Sequence, residues 1–182
     1  MGRLPGFYSA LMAALLLLMV IAVGYSQEGD MSSQGKTSPA RGPSMAAQPY
    51  VVATAKSIDG IVKDLASANK LHDLINAGNV GCRVYIQHES DVSTNQAEVH
   101  DAAEDVFLIL EGTAIFVLGG KLDSPQETQP GEWRAPGIAG GKEFRVNKGD
   151  ILIVPRGTPH RRITAGLDVT LMLIKASAPA RN

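Results

Sequence analysis

The sequence predicts an all-β domain, an antiparallel barrel preceded by short helices. Eight short β-type segments of four to seven residues follow one another between residues 82 and 175, and Gly or Pro residues separate most of them. Many short strands at such spacing are typical of closed or two-sheet antiparallel barrels. The sequence contains no glycine-rich nucleotide motif, GxSxG elbow, HExxH helix or CxxC pair that would point to another fold.

Residues 1–26 are typical of a secretory signal peptide. Arg3 and the amino terminus form a positive start, residues 11–23 are an uncharged apolar run of 13 residues, and small residues precede the expected cleavage point. We expect cleavage after Ser26 and export to the periplasm or the extracellular space, with no stable membrane insertion afterwards. The alternative is a retained anchor. It is disfavoured because a spanning helix needs about 20 apolar residues, and extending the run back to Phe7 gives 17.

The amino-acid composition is typical of an ordinary globular domain that follows a linker. The 17 Lys and Arg residues nearly balance the 18 Asp and Glu residues, which argues against a nucleic-acid binder because such proteins carry a basic face. The single cysteine, Cys82, excludes an intrachain disulfide, so an exported domain would depend on its hydrophobic core. Residues 27–48 are rich in Ser, Gly, Pro and Gln without an apolar period, and we expect a disordered linker there.

Two short helices are predicted in the segment 49–78. Apolar residues between Ile58 and Leu65 recur at the i, i+3, i+4, i+7 spacing of a helix, with Ser57 as the expected cap. A second helix is expected from Asn69 to Gly78, where Asn is a good first cap and Gly a good end. Both helices are expected to pack one apolar face against the barrel.

Residues 79–178 are expected to form the barrel. The stretch between Leu122 and Gly141 is long for a connection, and long loops tend to be functional. It is expected either to cover the barrel mouth, with Trp133 as an apolar wall, or to be a surface hairpin in which Trp133 packs on the barrel. The predicted strands are Cys82–His88, Ala97–His100, Val106–Leu110, Ala114–Leu118, Glu143–Val146, Ile151–Val154, His160–Thr164 and Val169–Lys175.

Two segments carry the residue types that chemistry needs. In the first, which runs from Glu98 to Gly112, Glu98 and His100 share one face of a strand because side chains alternate. Asp105 opens the next predicted strand, where we expect it to lie opposite His100 across a strand pair. In the second, a tight turn of Pro and Gly residues precedes His160.

These segments resemble the two motifs of the cupin superfamily, whose fold is a jelly-roll barrel. The second motif, G-x5-P-x-G-x2-H-x3-N, matches at every spacing from Gly149 to His160, and Thr164 replaces its final Asn. The first, G-x5-H-x-H-x3,4-E-x6-G, is more degenerate. Its second His and its closing Gly match, but Glu98 replaces its first His, Asp105 its Glu and Val92 its first Gly.

The resemblance implies a divalent metal site inside the barrel and a double-stranded β-helix fold. Carried over by position, the candidate ligands are Glu98, His100, Asp105 and His160. Such a mixture of imidazole and carboxylate suits Mn²⁺, Fe²⁺ or Zn²⁺. Without Glu98 the set is two His and one carboxylate, and Glu98 is then a general base beside the metal. Cupins with altered ligands often bind no metal, so a metal-free barrel is the alternative.

Arg162 is the other candidate for chemistry. Two residues beyond His160 it is expected to face inward, where a guanidinium can hold a substrate carboxylate. The alternative is an ion pair with Glu98 or Glu104, in a solvated arginine cluster at the barrel mouth. His88 is expected to be hydrogen-bonded and structural.

The sequence leaves three functions open. One is a metal-dependent enzyme, a dioxygenase, isomerase or lyase, that acts on a small polar molecule. A second is a non-catalytic barrel that binds or senses a small molecule, with or without metal. A storage module is least favoured, since the chain is too short for two barrels. The resemblance also implies a homodimer, and fold alone does not choose the reaction.

Overall fold

The structure is a computed structural model that describes residues 42–43, 45, 49–76, 81–92 and 95–177. The predicted signal peptide, residues 1–26, and nearly all of the predicted linker, residues 27–48, lie outside these ranges. Within the described ranges, the one helix is too short and too polar to cross a bilayer.

Antiparallel sheet is the main structure of the described residues. Ten of its strands are connected by hydrogen bonding and two more form a separate pair. The elements are α1 (Ala55–Leu65), β1 (Lys70–Asn76), β2 (Gly81–Ser90), β3 (Ala97–His100), β4 (Ala103–Leu118), β5 (Lys121–Leu122), β6 (Gln126–Gln129), β7 (Glu132–Ala135), β8 (Ile138–Ala139), β9 (Lys142–Asn147), β10 (Ile151–Val154), β11 (His160–Ile163) and β12 (Asp168–Ser177). The all-β prediction is confirmed.

The N-terminal segment differs from the prediction. The first helix exists as α1, but its cap is Thr54, whose hydroxyl accepts from the amide of Ser57 at 3.2 Å. The second predicted helix is wrong, because its residues form β1, paired with β2 over Lys70–Asn76. A free edge of β2 offers a hydrogen-bonding partner to the whole segment, and this tertiary pairing outweighs the local capping signal.

The strand β4 connects the two sheets of the barrel. Its first half pairs with β12 and β10, and its second half pairs with β9 and β11. Gly112 lies at the change, with a φ of +74°, and a Cβ there would overlap the carbonyl oxygen of Asp168. The burial pattern shifts by one residue across this point, from Phe107 and Ile109 to Ala114 and Phe116. The predicted strands Val106–Leu110 and Ala114–Leu118 are therefore one bent strand.

The core lies between the two sheets. Phe107 and Phe116, from the two halves of β4, are its largest members, and their ring centroids lie 4.9 Å apart. Leu171 and Leu173 of β12 complete this cluster with Val154 of β10. Asp105 lies two residues before Phe107 on β4, so its carboxylate faces the same interior.

The stretch predicted as a long connection is folded. It contains β5 to β8, and β6 and β7 form a hairpin that pairs with the barrel through β3. Trp133 of β7 is half-buried, and its indole N–H donates to Asp101 Oδ2 at 2.9 Å. Side chains alternate along β7, so Trp133 faces away from the side on which Glu132 and Arg134 lie.

Candidate metal centre

Three strands bring the four predicted ligands to one point. Glu98 and His100 lie on one face of β3, and His160 of β11 is paired directly with Glu98. Asp105 arrives on β4 from the other sheet. One ligand atom from each of the four residues lies within 4.8 Å of every other.

The distances between these atoms suit a small coordination sphere. His100 Nε2 lies 3.4 Å from Asp105 Oδ2 and 3.8 Å from Glu98 Oε2. His160 Nε2 lies 3.3 Å from Glu98 Oε1 and 3.5 Å from Asp105 Oδ2. Metal–ligand bonds of about 2.0–2.2 Å place neighbouring ligand atoms roughly 3–3.5 Å apart. The four side chains therefore need only small adjustments to share one ion.

Both imidazoles direct Nε2 to the centre because Nδ1 is already used. His100 Nδ1 contacts Glu132 Oε2 at 2.7 Å, and His160 Nδ1 contacts the carbonyl oxygen of Thr158 at 2.9 Å. Each oxygen is an acceptor, so each Nδ1 carries the proton and donates it. The lone pair of a neutral ring is then on Nε2, which is the arrangement of metal-binding histidines with a second hydrogen-bond partner.

The centre is shielded and strongly polarised. His100, Asp105 and His160 are each 1–2% exposed, whereas the side chain of Glu98 is 31% exposed. Burial opposes ionisation, but the imidazole of His160 outweighs it and lowers the pKa of Glu98 to about 2. The two histidines likewise hold the pKa of Asp105 well below its usual range, against burial. Two ionised carboxylates thus meet in a largely dry interior.

The same charges act on His160. Burial lowers its pKa, but the carboxylates of Asp105 and Glu98 overcome this and raise the pKa to about 9. His160 Nε2 nevertheless has no aligned hydrogen-bond acceptor among the described residues, and Asp105 Oδ1 has no hydrogen bond there beyond its ion pair with Lys175 Nζ at 3.4 Å. Buried polar atoms are rarely left in this state. A divalent cation would satisfy both atoms, so the residues present fit a metal ion.

Asp105 reaches His100 by a different route from the predicted one. The strands β3 and β4 are not paired at these residues, since β11 and β7 flank β3 there while β10 and β12 flank Asp105. The contact crosses the barrel interior instead of a hairpin. The prediction that the two side chains converge is confirmed, and the prediction of their strand pairing is wrong.

Arg162 forms an ion pair, as the alternative predicted, but its partner is Glu89, which was not predicted. Its Nε donates to Glu89 Oε2 at 2.8 Å, and its Nη2 also contacts Glu89 Oε1. Gln87 and Asn95 add hydrogen bonds to the same group. The predicted partners Glu98 and Glu104 are wrong: Glu104 pairs with Arg156 at 3.1 Å, and Arg134 pairs with Glu98 at 3.0 Å. The prediction of a solvated arginine cluster is also wrong. Side chains alternate along β11, so the side chain of Arg162 points into the barrel and those of the adjacent residues point away from it.

Two residues at the centre were not predicted. Glu132 lies beside His100 because β7 pairs with β3, and the sequence predicts no strand pairing for this stretch. Lys175 of β12 is paired with Asp105 and places its Nζ 2.8 Å from His100 Nε2. A signal for Lys175 existed, because the alternation of Leu171 and Leu173 along that predicted strand continues to it.

Two cavities of about 630 Å³ each adjoin the centre. Tyr85, Glu98 and Arg134 line both of them. The first cavity reaches His160 and also contains Arg162, Phe107 and Phe116 in its wall. The second reaches Asp105 and Lys175 and is closed on one side by the tip of the β6–β7 hairpin, Thr128–Pro130. The hairpin lines this cavity, as expected if the stretch covers the barrel mouth. Trp133, however, is not among the residues of the cavity wall.

Comparisons with known proteins yield similar structures only. No protein-family model and no curated protein sequence matches the chain. A solved structure of BH2720 from Bacillus halodurans is 17% identical, covers 75% of this chain and 86% of its own, and has a TM-score of 0.49. A cupin protein from Bacteroides fragilis, BF4112, is 14% identical over 63% of this chain and 81% of its own, with a TM-score of 0.41. The Cnp3 cupin domain of Schizosaccharomyces pombe is 17% identical over 63% and 67%, with a TM-score of 0.44.

The chain's own features carry the resemblance to a known family. The barrel is built of antiparallel strands in two sheets that share β4. The first motif supplies His100 and Asp105, and the second supplies His160 after its Pro-Gly turn, at a common interior point. The antiparallel barrel and the two motif segments that form the centre agree with the resemblance to the cupin superfamily that the sequence shows.

Proposed function

We propose that the chain binds one divalent metal ion through Glu98, His100, Asp105 and His160. We further propose that it acts on a small polar molecule held in the adjoining cavities. One observation carries the proposal: two buried imidazoles have Nδ1 occupied and aim Nε2 at two ionised carboxylates. Burying such acidic groups is costly, and a divalent ion would add the charge that Lys175 and Arg134 supply only in part.

The residues around the centre divide the chemical work. A bound Zn²⁺ would supply Lewis-acid chemistry, and Fe²⁺ or Mn²⁺ would also permit oxygenase-type chemistry. Glu98 is the most exposed of the four and lines both cavities, so it serves either as the fourth ligand or as a base toward the substrate. Arg162, fixed by Glu89, is assigned to orient a polar substrate in the first cavity.

Metal titration of the purified protein tests this assignment. We expect calorimetry with Mn²⁺, Zn²⁺ and anaerobic Fe²⁺ to give one site per chain. We expect His100→Ala and His160→Ala to abolish it, because each removes one of the two nitrogen ligands. His72→Ala is the matched control, since His72 is exposed on β1. A wild-type protein that holds no metal as purified and takes up none on incubation contradicts the proposal.

The second candidate is a barrel that binds or senses a small molecule without reaction. The contact of Lys175 with His100 and Asp105 favours it, because an ammonium can balance part of the acidic charge without a metal. Anaerobic binding scans followed by admission of oxygen separate the two. Chemical change of a bound ligand over several turnovers supports an enzyme, and recovery of the unchanged ligand supports a binder.

Export and dimerisation are further proposals. We propose cleavage after Ser26 and export to the periplasm or the extracellular space, for which the N-terminal residue of the mature protein is the test. A mature chain that begins at Gln27 supports cleavage, and an intact N-terminus in the membrane fraction contradicts it. We also propose a homodimer, and light scattering during size-exclusion chromatography measures the mass directly.

A further inference from the structure

Lys175 competes for the same atoms as the proposed metal. Its Nζ lies 2.8 Å from His100 Nε2 and 3.4 Å from Asp105 Oδ1. Because His100 Nδ1 donates to Glu132, Nε2 is the acceptor in this contact and the ammonium is the donor. A nitrogen lone pair that accepts from an ammonium cannot at the same time bind a metal ion.

The backbone holds the lysine in this place. Lys175 is directly opposite Asp105 in the β12–β4 ladder, and directly opposed residues project on the same face. The Lys175 side chain is 23% exposed, and it lines the second cavity together with Arg134. Its stem is therefore anchored beside the centre, while its flexible end has room to turn into the cavity.

The charges around the centre change sign when a divalent ion enters. Glu98, Asp105 and Glu132 provide three negative charges, and Lys175 and Arg134 provide two positive ones. Apart from the two imidazoles, these side chains sum to a single negative charge, and a divalent ion shifts that sum to a single positive charge. A loaded site of this kind attracts an anionic group and repels the ammonium from the ligand atoms.

We propose that Lys175 is a displaceable cation that the metal drives from His100 and Asp105 into the second cavity, where it binds an anionic group of the substrate, such as a carboxylate. This inference rests on the proposed metal site and adds a substrate class to it. Arg134, which faces Glu98 and Glu132, is the neighbouring cation in the same cavity wall. A small carboxylate placed there lies between Lys175 and the metal position.

The test compares the full chain with Lys175→Met, which keeps the length of the side chain and removes its charge. Lys175→Gln is the second variant, should the methionine variant melt early, and Lys142→Met on exposed β9 is the control. We expect Mn²⁺ to bind Lys175→Met about tenfold tighter by calorimetry, since no ammonium must leave. We expect acetate, followed by its NMR line broadening on the Mn²⁺-loaded protein, to bind Lys175→Met about tenfold more weakly.

The metal and acetate titrations test separate parts of the proposal. Metal affinity that is unchanged or weaker in both Lys175 variants, with a wild type that binds metal, overturns the displacement and leaves the metal site standing. Unchanged acetate affinity overturns the anion-binding role. Absence of metal binding in wild type and variants alike overturns the proposed function, and this inference with it. Metal binding by Lys175→Met alone also overturns the displacement, because the ammonium then excludes the ion from the wild-type site instead of yielding to it.

Discussion

Removal of the carboxylate of Glu132 is expected to weaken metal binding without removing a ligand. Its Oε2 accepts from His100 Nδ1 at 2.7 Å, which keeps the His100 lone pair on Nε2. Loss of such a partner typically costs 10–100-fold in metal affinity. The side chain of Glu132 is 30% exposed, and Arg134 Nη2 lies 3.6 Å from the same oxygen, so part of its charge is already screened.

We therefore expect Glu132→Ala to lose about 10–30-fold in Mn²⁺ affinity, which is about 1.4–2 kcal/mol. Glu132→Gln retains an acceptor oxygen and should lose less. The assay is calorimetric titration at one pH and salt concentration, with Glu143→Gln on exposed β9 as the control. If Glu132→Ala binds Mn²⁺ within twofold of wild type while His100→Ala does not bind it, Glu132 does not orient the imidazole and the reasoning fails.

Three further predictions concern stability. Glu89→Gln should cost about 3 kcal/mol at pH 7, because it leaves buried Arg162 without its counter-charge. Burial opposes ionisation of Glu89, but the guanidinium of Arg162 lowers the pKa of its carboxyl group. The stability that wild type has over Glu89→Gln is therefore fully present above the pKa of Glu89 in the unfolded chain, and it declines below about pH 4.5. Urea melts at pH 7 and 4 measure this, and an advantage that grows on acidification contradicts it. Phe116→Ala should cost about 3–5 kcal/mol, against under 1 for half-exposed Phe144→Ala, by the same assay; equal losses contradict the assigned core. Gly112→Ala should lower the melting temperature through a loss of at least about 1–3 kcal/mol, because of its positive φ, and an unchanged melt contradicts the bend in β4.

Local sequence patterns predicted the strands correctly where polar and apolar residues alternate regularly. The strand Ala97–His100 was predicted with the bounds that the structure has, because turns flank it and its alternation is regular. The prediction for the segment Lys70–Asn76 was wrong. Asn and Gly near its ends also suit a helix, and only the pairing with β2 decides between helix and strand. Periodicity over seven residues carries too little information to replace that contact.

The candidate site was predicted where motif spacing fixed it. Gly149 to His160 matched the second motif and placed His160 at the centre, and His100 followed from the first motif. Contacts between strands distant in sequence were missed. The pairing of Glu89 with Arg162 and of Glu132 with His100 depends on which strands are neighbours, and one sequence does not specify strand order.

The proposed function depends on a single metal ion that two imidazoles from separate strands share. Anomalous diffraction from crystals of the Mn²⁺- or Zn²⁺-loaded protein, measured at the edge of that metal, locates the ion directly. We predict one peak per chain about 2.0–2.2 Å from Nε2 of both His100 and His160, with Asp105 among the oxygen ligands. A peak bound to neither histidine, or a loaded crystal with no peak inside the barrel, contradicts the account.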